Sequence, residues 1–127
     1  MLTNTFSVRA KQWLIACFGF DIGLSKEERT LRFTEEALEL GQAAGLTKER
    51  LLELVEYVYS RPVGELRQEV GGVATTLTAF CIAHELDLTT EAERELLRCW
   101  QNLKEIREKQ KNKPIRANLP IQTESLS

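Results

Sequence analysis

Apolar residues recur every three to four positions through almost the whole chain, and no stretch alternates in the two-residue manner of a half-buried strand. That period restricts the fold to packed helices, so an all-α bundle of about five helices is expected. A first helix is predicted from about Thr5 to Phe18, with Gly19 and Gly23 bracketing the link that follows. Ser25-Lys26-Glu27-Glu28 is a capping-box signature, in which the serine accepts from a free backbone amide and the glutamate reaches back. The second helix continues from there to Gly45, a suitable left-handed stop. Thr47 can cap a third helix with Leu51, Leu54, Val55 and Val58 on its inner face, ended by Arg61-Pro62. A fourth helix is predicted from near Val63 to about Leu86, with Leu66, Val70, Val73, Leu77 and Phe80 facing a bundle interior. Thr90 and Glu93 form another capping pair. The fifth helix then carries Leu96, Trp100, Leu103 and Ile106 inward.

The 127 residues suit one domain over 1–113, followed by a flexible tail over 114–127 that loses periodicity. No apolar run approaches the roughly 20 residues needed to span a bilayer. Met1 to Ser7 lacks the charged and apolar regions of a secretory signal. Cys17, Cys81 and Cys99 show no CxxC spacing and read as reduced thiols, so a cytoplasmic location is expected. A net charge of −2 argues against a dedicated nucleic-acid binder and leaves that role a distant alternative. The local exception is Lys104 to Arg116, six basic residues against two acidic ones. That run is either a solvated helix end, favoured by the helix dipole, or a contact for phosphates.

Chemistry is suggested by Glu35-Glu36-Ala37-Leu38-Glu39, in the middle of the second helix, and by Glu69 thirty residues later. Glu36 and Glu39 project from one helical face, and Glu69 can join them only from a packed neighbour. Mg²⁺ takes a few carboxylates together with waters and substrate phosphates, and three such oxygens between helices would serve it. Carboxylates gathered without a cation would repel one another and be desolvated at considerable cost. The plainer reading is a solvated acidic face. The doublet Gly71-Gly72 weakens its helix by roughly 1 kcal/mol per glycine, which suggests the close approach of a packed helix or a ligand.

Taken together, these strings resemble the all-α nucleoside triphosphate pyrophosphohydrolases, the MazG-like group, and in particular a phage and bacterial branch of it. The resemblance is carried by Arg32-Phe33-Thr34-Glu35-Glu36-Ala37-Leu38-Glu39-Leu40, Arg61-Pro62-Val63-Gly64-Glu65 and Glu69-Val70-Gly71-Gly72-Val73. Trp13, Ala16-Cys17-Phe18-Gly19, and Ile106-Arg107 with Lys109-Gln110 extend it over Val8 to Lys111. It implies a helical oligomer whose site is sometimes completed by a neighbour. The implied reaction is Mg²⁺-dependent cleavage (or Mn²⁺-dependent) of a nucleoside triphosphate to a monophosphate and pyrophosphate.

On that resemblance Glu36, Glu39 and Glu69 would be metal ligands, and Glu36 would share the catalytic work with Glu35, which orients the attacking water or a second ion. Arg29 and Arg32 either grip phosphates or pair with acidic neighbours along the helix. Lys104, Arg107 and Lys109 are further phosphate candidates, and Trp13 could stack a base or belong to the core. One departure matters. The aspartate of the family's ExxD pattern falls on Gly72, and Glu65 is its nearest substitute. The alternatives are therefore a non-catalytic nucleotide- or protein-binding oligomer with a degenerate metal site, and a purely structural helical adaptor.

Overall fold

A computed structural model describes residues 5–114. The expected flexible tail beyond Pro114 lies outside the described residues. Six helices follow one another, and no strand occurs among the described residues. They are α1 (Phe6–Gly23), α2 (Lys26–Ala43), α3 (Lys48–Tyr59), α4 (Leu66–Ala83), α5 (Leu88–Gln101) and α6 (Leu103–Lys111). The chain divides into two compact units, residues 1–37 with 95–127, and residues 38–94.

The local signals largely act as their chemistry requires. Thr5, Ser25 and Thr47 each accept a hydrogen bond from the amide three residues on, opening α1, α2 and α3. Gly45 ends α2 with φ +99°, and Leu46 N–H returns to the Gly41 carbonyl at 3.0 Å. Three expectations need correction. The fourth helix opens at Leu66, not Val63, because the Glu65 carboxylate accepts from the amides of Arg67 and Gln68. The next helix is capped by Asp87, whose Oδ2 accepts from both the amide and the hydroxyl of Thr90. Those bonds hold the Asp87 carboxyl below its ordinary range. Finally, the fifth helix is two helices. Asn102 leaves helical geometry at φ −113° and ψ 31°, its Nδ2 donates to the Arg98 carbonyl, and α6 restarts beyond it.

The first unit is built around α1 and α6. Gly19 adopts φ +80°, open to glycine and strained for other residues, and this breaks α1 near the point where the sequence predicts its end. The break leaves carbonyls without helical partners. Arg107 on α6 donates its Nε to the Cys17 carbonyl at 2.7 Å and its Nη2 to the Ala16 carbonyl. A cation at a helix C-terminus also suits the dipole. Beyond the break the backbone folds back closely, so that a Cβ at Gly23 would lie 2.7 Å from the Leu14 carbonyl oxygen. Cys17 and Leu96 are buried in this unit.

In the second unit the expected inner faces are not covered within the chain. Cys81 is buried and Leu51, Leu77 and Phe80 are half-buried. Leu54, Val55 and Val58 of α3, and Leu66, Val70 and Val73 of α4, are exposed, Leu66 to 79%. The helical period is correct, but α3 and α4 present these stripes outward.

Candidate functional site

The most deeply buried charge is Glu28, in the first turn of α2, with 1% of its surface exposed. Its Oε1 accepts from Gln110 Nε2 of α6 at 2.6 Å and lies 3.0 Å from Arg32 Nε. Arg32 extends the chain of charges through Nη1 to Glu35 at 3.0 Å, and Lys113 Nζ reaches both Glu35 oxygens at 2.9 and 3.0 Å. Glu28, Arg32, Glu35, Gln110 and Lys113 thus form one network tying α2 to α6 and the residues after it. The sequence pattern marks Glu28 only as a capping residue, and its partner stands 82 positions away.

This arrangement redistributes the expected roles. Glu35, expected to orient water, is held by two cations instead. Arg32 pairs with Glu28 and Glu35, the second of the two readings open to it. Arg107 is the α1 cap. Arg29 lies over the Phe18 ring at 5.3 Å, a cation–π distance, and Trp13 meets the same ring edge-on at 5.4 Å. Arg29 Nε and Nη2 and Trp13 Nε1 are buried and find no acceptor among the described residues. Burial holds the Arg29 guanidinium below its ordinary pKa, partly offset by Glu28. Trp13 is half-buried against Phe18 of its own helix. Lys104 and Lys109 are exposed on α6.

The expected metal ligands lie elsewhere. Glu36 and Glu39 are exposed and three residues apart on α2. Arg98 on α5 is close enough for the Glu36 charge to help raise its pKa, after the larger effect of Glu95. Glu69 is exposed in the first turn of α4. Among the described residues no group of three or more His, Cys, Asp or Glu side chains is gathered closely enough to hold a metal ion. Glu65, the substitute for the missing aspartate, is occupied as the α4 cap. Burial raises the Cys17 thiol, and burial with the Glu95 charge pushes Cys99 up to about 11, so both are neutral at pH 7 and neither is an activated nucleophile.

Gly64 is a residue whose role the sequence pattern does not reveal. The Glu69 carboxylate rests against its α-carbon, where the side chain of any other residue would begin. Gly64→Ala should therefore displace that carboxylate, a flexible group that can swing away, and change stability by less than about 1 kcal/mol. Urea denaturation of wild type and Gly64→Ala checks this, and a loss well above about 1 kcal/mol would show that the carboxylate cannot move aside.

No protein-family model, no curated protein and no solved structure matches this chain. No helix among the described residues is long and apolar enough to cross a membrane.

Proposed function

We propose that this all-α chain is a Mg²⁺-dependent nucleoside triphosphate pyrophosphohydrolase of the MazG-like kind, acting as a homo-oligomer. The observation that carries the reading is the placement of Glu36 and Glu39 on an exposed face of α2, with Glu69 exposed at the start of α4. These acids fall within the strings that resemble the family. Glu36 and Glu39 of one copy, with Glu69 of another, would hold the ion. Bound there, it would neutralise phosphate charge and help generate the attacking hydroxide. Lys104 and Lys109, exposed on α6, are the cations best placed to meet phosphates. Arg107 and Arg32 are occupied in holding the fold.

Incubation of the purified protein with Mg²⁺ and a panel of canonical and modified nucleoside triphosphates tests the proposal. The expected products are a monophosphate and pyrophosphate, and their absence across the panel would overturn it. A second reading, a non-catalytic nucleotide- or protein-binding oligomer, is favoured by Gly72 at the aspartate position and by the capping role of Glu65. Calorimetry with Mg²⁺ and a non-hydrolysable triphosphate separates the two: binding without turnover supports the second.

A further inference from the structure

Two cations from separate parts of the chain converge on one carboxylate, that of Glu35. Lys113 Nζ donates to both of its oxygens at 2.9 and 3.0 Å, and Arg32 Nη1 meets Oε1 at 3.0 Å. The members of this contact differ in how firmly they are held. Arg32 is 16% exposed, and its Nε lies 3.0 Å from Glu28, the enclosed carboxylate that Gln110 also bonds. Its guanidinium is therefore aimed from behind, whatever stands in front of Nη1. Glu35 and Lys113 are 36% and 26% exposed, so solvent reaches the front of the contact. A partly exposed lysine–glutamate pair contributes little to stability, which makes the Glu35 carboxylate the exchangeable member.

Negative charge is also short here. Arg29, three residues before Arg32, is buried at Nε and Nη2, and neither atom finds an acceptor among the described residues. Burial lowers the Arg29 pKa most, Glu28 raises it, and the Arg32 charge lowers it further, so the two guanidiniums lie within electrostatic range of each other. Around this end of α2 three cations, Arg29, Arg32 and Lys113, stand against two carboxylates, Glu28 and Glu35.

We propose that Arg32 and Lys113 form a binding site for a phosphate group, and that Glu35 stands in it as the chain's own substitute for that ligand. A phosphate offers a pair of oxygens much as a carboxylate does, with more charge, and a fixed guanidinium beside a lysine suits it. Arg32 keeps its hold on Glu28 throughout. The exchange would release Glu35, whose expected role is to orient the attacking water. The choice of phosphate over another oxyanion rests on the proposed function, in which the ligand is the polyphosphate chain of a nucleotide. The site itself rests on the geometry of Arg32, Glu35 and Lys113.

Calorimetric titration of the full chain with inorganic tripolyphosphate, without Mg²⁺ or nucleoside, tests the site. Lys113→Met should weaken binding about tenfold, the loss expected for one charge-assisted hydrogen bond, and Lys113→Arg should restore most of it. Glu35→Gln should tighten binding about fivefold by removing the competing ion pair, a gain that a misfolded variant cannot produce. Glu108→Gln removes the same charge from an exposed position on α6 and should stay within about twofold of wild type. Tripolyphosphate that binds wild type, Lys113→Met and Glu35→Gln alike would overturn the site, and so would a gain in Glu35→Gln matched by Glu108→Gln. Hydrolysis would then rely on Lys104 and Lys109, and the proposed function would stand. Absence of binding even in Glu35→Gln would overturn the site too. The expected pattern in a protein that hydrolyses no nucleoside triphosphate would uphold the site and remove the proposed function.

Discussion

Replacing Glu28 with alanine is expected to destabilise the first unit by about 3 kcal/mol, near the lower end of the range for breaking a buried ion pair. Glu28 is almost fully enclosed; its Oε1 accepts from Gln110 Nε2 and forms an ion pair with Arg32, 3.0 Å from Nε. Alanine would take this acceptor from Gln110, remove the negative charge beside Arg32 and leave space beneath α6. The cost stays near the lower end because Glu35 still holds Arg32 Nη1. Glu28→Gln keeps an acceptor oxygen and most of the volume, so it should cost roughly half as much. Urea denaturation followed by tryptophan fluorescence reads the difference, since Trp13 lies in this unit. A loss below 1 kcal/mol in Glu28→Ala would mean that the α2–α6 connection is carried by apolar packing and not by the ionic network.

The same residues show what sequence reasoning can and cannot recover. The caps at Ser25 and Thr47 and the stop at Gly45 are decided within one helical turn, so short strings specify them. The break at Asn102 is a local change of backbone angles, to φ −113° and ψ 31°, inside a run whose apolar period continues across it, so the pattern does not reveal it. Long-range roles leave no local trace. Arg107 has the charge of a phosphate ligand, yet its guanidinium caps carbonyls 90 and 91 positions earlier, which the Gly19 break leaves without helical partners. Glu28 fits its capping motif and nevertheless turns its carboxylate toward α6.

The apolar stripes of α3 and α4 mark a different boundary. Periodicity identifies which face of a helix avoids water, and it says nothing of which molecule covers that face. Val55 and Val58 on α3, and Val70 and Val73 on α4, follow the interior pattern and lie exposed in the single chain. Tyr59 at the end of α3 and Val63 between α3 and α4 are 85% and 100% exposed. Within the second unit, by contrast, the turn after α2 is locally packed, with Leu46 and Leu51 at van der Waals distance from the Gly41 position.

If Glu39 of one copy and Glu69 of another serve the same ion, two inactive variants should restore each other. Glu39→Gln and Glu69→Gln alone are each expected to retain under about 1% of wild-type hydrolysis, because a neutral amide in place of a carboxylate weakens both metal binding and charge neutralisation. After subunit exchange, half of the dimers contain one copy of each variant. In such a dimer one site gathers both substituted residues and the other gathers none, so the mixture should recover about a quarter of wild-type activity. Recovery must follow exchange: it should be absent immediately after mixing and grow as the copies redistribute. An active wild-type protein whose mixed variants stay inactive after full exchange would place Glu39 and Glu69 in the service of a single chain's site. Hydrolysis that survives in either variant alone would remove that glutamate from the metal. The result depends on Glu39 and Glu69 alone, so it can succeed or fail whatever surface joins the copies.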